Sequence, residues 1–431
     1  MRKWNWLKGL RCLAGVGATM LISGVAVAGD ATEVAPEQVF QQTSYNLMEE
    51  VGCAPKCGAD DKCDTGCKSD GCNGGCDDGG LLGGLLGGNG LCCNQKEFKL
   101  FEGIDVGGWV QLGYSSRPTA FNDARQDDRI LLNQGWIYLD KAAESECGEW
   151  AWGYHADFVY GTDGGNTQSF GNNVGTFDFG PRFDHGREQW AIPQLYAEIS
   201  NGDWTVKGGH FYTLHGYEVV QATGNFFYTH AYTMNYAEPF THTGVIATYA
   251  LNDDTEIYGG WTLGFDTGFD QTDNGNNFIG GYSTALTDDI TLTQILSFGN
   301  FGTGFGVATR GSTAISTVVD YQITDKLNYV FHSDFLNAGQ YETFGINQYL
   351  LYEINDCVSA GSRMEWWKVE GSSVNAITVG LNVKPHANVT IRPEYRYDWS
   401  PGGITNNGLQ TGNLTPGQAN GTFAVDAVIT F

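Results

Sequence analysis

Residues 389–399 read VTIRPEYRYDW, and the fold class turns on this stretch. Val389, Ile391, Pro393, Tyr395, Tyr397 and Trp399 share one parity, and Thr390, Arg392, Glu394, Arg396 and Asp398 share the other. A period of two is the signature of a β-strand, in which successive side chains point to opposite faces. One face is therefore apolar and aromatic while the other is charged. Charges gathered on one face suit a wet lumen and would be costly in a dry core. The aromatics at the end of the segment suit a girdle at a membrane–water boundary.

The pattern extends outward from this stretch. In 150–160, Trp150, Trp152, Tyr154, Ala156, Phe158 and Tyr160 alternate with Ala151, Gly153, His155, Asp157 and Val159. In 423–431, Phe423, Val425, Ala427, Ile429 and Phe431 alternate with Ala424, Asp426, Val428 and Thr430. A soluble β-sandwich also alternates, so length separates the two readings. Segments of about 10 to 13 residues match a tilted membrane strand, whereas ordinary strands average nearer 5 or 6.

Tight connections at 252–254, 287–289, 324–326, Asn355-Asp356 and Pro385-His386 enclose strands in pairs. Longer polar or Gly-rich connections at 161–189, 215–242, 266–276, 300–312 and 400–420 lie between them. This pattern predicts an all-β fold, a transmembrane antiparallel β-barrel of about sixteen strands (range about 14 to 18), with short periplasmic turns and long external loops.

Three parts are expected. Residues 1–28 read as a cleaved signal peptide: Arg2, Lys3, Lys8 and Arg11 precede an apolar run that ends Ala26-Val27-Ala28. Residues 29–102 form a Cys-, Gly- and Asp-rich segment, and 103–431 form the barrel. The chain is acidic, with a formal charge of -26 that becomes more negative once the basic signal is removed, so nucleic acid is excluded as a partner. Hydrophobic residues make up only 41% of the chain, and no later stretch is apolar for long enough to form a membrane helix.

The opening GGWVQLGY at 107–114, PQLYAEI at 193–199 with WTVKGGHFYTLHGYE at 204–218, and FTHTGVIATYAL at 240–251 resemble the OmpL-like group of β-barrel porins of diderm bacteria. The resemblance covers roughly residues 103–431. It implies a passive channel in the outer membrane that admits small hydrophilic solutes or ions, without a cofactor and without enzymatic chemistry. The last strand, ending in Phe431, resembles the signal by which the outer-membrane insertion machinery recognises barrels. Outer-membrane lipid, that machinery and the solutes are the implied partners, with a homotrimer left open.

A channel needs a lumen and a constriction whose charges select what passes. Counting from the first strand, 215–242 is the third external loop. It is aromatic (Phe226, Phe227, Tyr228, Tyr232, Tyr236, Phe240) and carries Glu218 and Glu238. Lys207, Arg363, Arg392 and Arg396 fall on the lumen parity, so a transverse field between them and the loop carboxylates is one expectation. The alternative is that they are ordinary solvated lumen charges paired with Glu365, Glu394 and Asp398.

Cys53, Cys57, Cys63, Cys67, Cys72, Cys76, Cys92, Cys93, Cys147 and Cys357 remain after the signal, an even number. In an exported chain these are disulfide candidates, with a thiolate metal site or intermolecular cross-links as alternatives. The acidic residues among them lack EF-hand spacing, and no metal site is expected. There is no G-x-S-x-G elbow or Walker run, and His155, His210, His215, His230, His242 and His332 are scattered. A structural barrel that anchors a disulfide-rich periplasmic or surface segment, and a soluble all-β binding protein, are the competing readings.

Overall fold

The computed structural model describes residues 103–117, 129–145, 149–180, 186–271, 273–302, 310–339, 341–369, 371–403 and 419–431. The stretch read as a signal, the Cys-rich segment and Cys147 lie outside them. The described chain forms β1 (Asp105–Ser115), β2 (Arg129–Lys141), β3 (Ala151–Gly161), β4 (Gln189–Ala191), β5 (Leu195–Asn201), β6 (Trp204–Tyr212), β7 (Thr241–Asn252), β8 (Thr255–Thr262) and β9 (Asn276–Thr287). These continue as β10 (Ile290–Asn300), β11 (Arg310–Thr324), β12 (Leu327–Ala338), β13 (Tyr341–Asn355), β14 (Val358–Val369), β15 (Ser372–His386), β16 (Val389–Trp399) and β17 (Ala419–Thr430).

Apart from β4 and β5, each strand pairs antiparallel with its sequence neighbours, and β17 returns to β1, with Trp109 opposite Thr430 and Ser115 opposite Ala424. Two backbone bonds between Gly108 and Phe431 extend this seam. The sheet thus has no open edge, which is the condition for strands to cross a membrane. β4 and β5 both pair with β3, at 159–161 and 151–156 respectively, so they form one interrupted stave of a sixteen-stave ring. The break falls at Pro193, which has no backbone N–H to give the ladder. Gln194 partly repairs it by accepting the Asp157 N–H at 2.9 Å.

The outward parity is aliphatic at mid-strand, as at Leu195, Ile199, Val245, Ile257, Leu296, Ile315, Val379 and Ile391, all exposed. Each such side chain would be worth about 1.5–3 kcal/mol if withdrawn from water. Lipid is the solvent that accepts this surface. Aromatics mark both ends of the band: Trp204 beside Tyr249 near the short turns, and Tyr160 beside Trp190 near the long loops. Within 389–399, Ile391, Tyr395 and Tyr397 are exposed while Arg392, Glu394, Arg396 and Asp398 are buried, as the alternation requires.

The connections depart from expectation in two places. The turn assigned to Pro385-His386 lies two residues later, at 387–388, because β15 runs through His386, which pairs with Val389. At the long-loop end, the connections at 339–340 and 370–371 are as tight as those opposite. The rim is therefore low over β12–β15.

Candidate constriction of the lumen

Residues 213–240 join β6 to β7 and make up the third connection at the long-loop end, two residues earlier than the 215–242 span read from sequence. The segment closes on itself where Thr213 N–H donates to the Phe240 carbonyl at 3.0 Å. It contains a 3-10 turn at Ala222–Gly224 and a short helix, α1 (Tyr232–Tyr236). It folds into the barrel. Val220, Ala222 and Met234 pack with Trp109, Trp136, Val159 and Val428 on one side of the lumen. Tyr232 stacks on Trp367 of β14 at 5.7 Å on the other. An aromatic segment of this length is better packed there than left in water.

The charged parity of β14, β16 and β17 forms the wall that receives the loop. Arg363 donates to Glu218 at 2.6 Å, to the Thr229 carbonyl at 2.6 Å and to its wall neighbour Glu365 at 2.8 Å. Arg392 forks onto Asp426 and caps the carbonyls of Ala222 (2.7 Å) and Asn225 (2.5 Å). Arg396 pairs with Asp398 and Glu365, both at 2.9 Å, and donates to the His230 carbonyl at 3.0 Å.

The carboxylates do the converse for loop N–H groups. Glu394 accepts Tyr228 N–H (2.8 Å), Thr229 N–H (3.1 Å) and the Thr229 hydroxyl. Glu365 accepts Tyr232 N–H at 2.9 Å, and Glu218 accepts Ala231 N–H at 2.8 Å. An irregular segment buried in a barrel must have its backbone groups satisfied, and this wall satisfies them. On β2, the Gln134 amide donates to the Val220 carbonyl and accepts Ala222 N–H, and Tyr228 Oη donates to Asn133.

Arg363, Arg392 and Arg396 are 0%, 3% and 4% exposed, so they are packed rather than solvated. Of the four basic residues set against the loop carboxylates in the expected transverse field, Arg363 touches Glu218 directly. Burial disfavours the charged Glu218, yet Arg363 and then His230 hold its carboxyl well below the usual range. Lys207 belongs to another part of the wall, with its ammonium 4.2 Å over the Tyr196 ring. Glu238, at the loop root, faces His332 and Asp334 of β12 instead of the arginines. This last grouping was not read from sequence, although His332 and Asp334 share the inward parity of one strand. Cys357 is exposed in the 356–357 turn, and Phe431, 65% exposed, closes the seam.

A closed sixteen-stave barrel with a lipid-facing exterior, a polar interior and a third loop folded inward defines the porin class of outer-membrane channel. The chain belongs to the family described as "Putative beta-barrel porin-2, OmpL-like", which matches residues 103–431. No curated protein matches it in sequence. Among solved structures, the anion-selective porin from Comamonas acidovorans is similar at a TM-score of 0.54 and 13% identity, over 76% of this chain and 99% of that one. The trimer form of OmpT from Vibrio cholerae is similar at 0.51 and 14%, over 76% and 99%. The outer-membrane channel DcaP of Acinetobacter baumannii is similar at 0.51 and 10%, over 76% and 97%.

Proposed function

We propose that this porin passes small hydrophilic solutes or ions passively, and that residues 213–240 are its constriction. The observation that carries this reading is the bonding of that loop to Arg363, Arg392, Arg396, Glu365 and Glu394 on the lumen wall. A loop fixed at so many points narrows the lumen without drifting, which is what a size and charge filter needs. No step of the function calls for a catalytic residue or a cofactor. We further propose a cleaved signal at 1–28, the short turns on the periplasmic side, recognition of the strand ending in Phe431 by the insertion machinery, disulfides within 29–102, and a homotrimer like the trimer form of its structural neighbour OmpT.

A second reading is favoured by one observation: the arginines of the constriction are 0–4% exposed, so the loop and wall pack as tightly as a protein core. On this reading the barrel conducts little and anchors the Cys-rich segment. Single-channel recording in a planar bilayer under a salt gradient separates the two. Discrete open steps establish the pore, and their reversal potential gives its selectivity. Silence from a barrel whose gel mobility still shifts on boiling supports the anchor.

A further inference from the structure

We propose that Glu238, His332 and Asp334 form a binding site for a divalent first-row transition-metal ion, which ties the root of the inward loop to β12. Glu238 lies two residues before the loop rejoins the wall at Phe240, and His332 and Asp334 are alternate inward residues of one strand. All three are buried, and one ligand atom from each lies within 4.8 Å of the others. His332 Nε2 is 2.6 Å from Asp334 Oδ2 and 3.6 Å from Glu238 Oε1.

The second observation is an unbalanced charge. Glu238 Oε1, His332 Nε2 and both carboxylate oxygens of Asp334 are shielded from solvent, and these groups bond mainly to one another. Among the described residues, neither carboxylate has an arginine or lysine partner, in contrast to Glu218, Glu365, Asp398 and Asp426. The other groups facing the pair are the Thr233 hydroxyl, bonded to Glu238, the Ser316 hydroxyl, bonded to Asp334, the further negative charge of Glu218, and His215, farther off and engaged by Ser297 at 2.7 Å. A protonated His332 balances at most one of the two negative charges, and a buried unbalanced carboxylate is expensive.

A divalent cation supplies what is missing. Two oxygens and one imidazole nitrogen suit Zn²⁺, Co²⁺ or Mn²⁺, with water completing the sphere. The surroundings also provide an orienting partner for the imidazole. Asn347 faces His332 Nδ1 at 3.1 Å and Thr233 Oγ1 at 2.5 Å, while its own oxygen lacks a partner. With a metal neutralising Glu238, the Thr233 hydroxyl can swing from Glu238 to Asn347; turning the Asn347 amide over then lets Oδ1 accept it together with the His332 Nδ1–H, which leaves the Nε2 lone pair for the metal. Gly216, at φ +89°, packs against the Glu238 carboxylate so closely that a Cβ would fall 1.7 Å from Oε2. The loop backbone therefore holds this carboxylate in place from behind.

The test uses the full chain in detergent, stripped with chelator and titrated with Co²⁺, alongside the near-isosteric double variant Glu238→Gln/Asp334→Asn. Equilibrium dialysis is expected to show one Co²⁺ fewer per chain in the variant, with loss of a visible d–d band that lacks thiolate charge transfer. The latter feature separates this site from the cysteines of 29–102. Equal stoichiometry and spectra, in two proteins that both shift on boiling, would overturn the proposal in favour of a proton shared by Glu238 and Asp334 beside His332. If the double variant does not fold, anomalous scattering from Zn²⁺-loaded wild-type crystals decides: density between the three residues supports the site, and its absence at saturating Zn²⁺ rejects it.

Discussion

Replacing Arg363 with Met should release the inward loop while leaving the barrel closed. The guanidinium is fully buried and reaches the loop through Glu218 and both the carbonyl and hydroxyl of Thr229, and the wall through Glu365 and Thr378. Phe227 also lies against it, 5.2 Å from ring centroid to guanidinium carbon. Methionine keeps the apolar volume but takes the arginine away from Glu218, leaving it His230, and leaves Glu365 with Arg396 alone. Removing one partner of a buried pair costs about 3–5 kcal/mol. Most of that loss falls on loop contacts, so the opening equilibrium should rise at least about a hundredfold, at roughly 1.4 kcal/mol per factor of ten. The β13–β14–β15 ladders use backbone groups only and stay intact.

Chymotrypsin is a suitable probe, because Phe226, Phe227 and Tyr228 are sheltered only while the loop is docked. Cleavage there should accelerate in Arg363→Met with the heat-dependent gel shift retained, and Lys207→Met, whose ammonium sits over Tyr196, serves as the control. If Arg363→Met resists the protease as wild type does, or if both variants are cut alike, the arginine does not hold the loop.

Three further outcomes are expected. Asp163, just after β3, is pushed up to about 8 by burial, against hydrogen bonds from Gln134 and Thr162. Its folded state prefers the proton, so its stabilising contribution is complete below the usual carboxylate value and disappears as pH rises through about 8. Urea midpoints in detergent should therefore fall between mildly acidic and alkaline pH, and Asp163→Asn should remove part of that fall; identical slopes would contradict the assignment. Gly216→Ala forces a side chain into a left-handed backbone and against Glu238, costing about 1–3 kcal/mol, and should expose the loop root to protease without altering heat modifiability. Val379→Lys, outward at the middle of β15, should cost about 2–4 kcal/mol in lipid refolding titrations, and unchanged stability would mean that this face does not meet lipid.

The barrel was legible because lipid and lumen impose opposite demands on adjacent residues. Arg392, Glu394, Arg396 and Asp398 announce a polar interior in a way that no amount of composition does. The loop was legible as a long aromatic connection in third place, which predicted that it folds inward but not what it meets there. Its partners come from β2, from β10, β11 and β13, and from β14 and β16, and their meeting depends on the stagger of the staves, which alternation leaves undetermined. The same gap hid Glu238 beside His332 and Asp334, since residues nearly a hundred positions apart meet only after the ring has closed. The tight connections at 339–340 and 370–371 did carry a local mark, Gly339 and Gly371, both left-handed, but single glycines are so frequent in this chain that neither stood out.

The inward loop bears on the order of assembly. Its hydrogen bonds reach Asn133 and Gln134 near one end of the barrel sequence and Glu394 and Asp398 near the other. These strands flank the seam where β17 meets β1, and there Asp426 is held both by Gln111 across the seam and by Arg392 behind it. A segment bonded to both shores of the seam is hard to thread in after the last strand has zipped. Docking of the segment and closure of the cylinder are therefore linked: each bond from 213–240 to β2 and to β16 ties the first and last hairpins together across the seam, at one separation and one register.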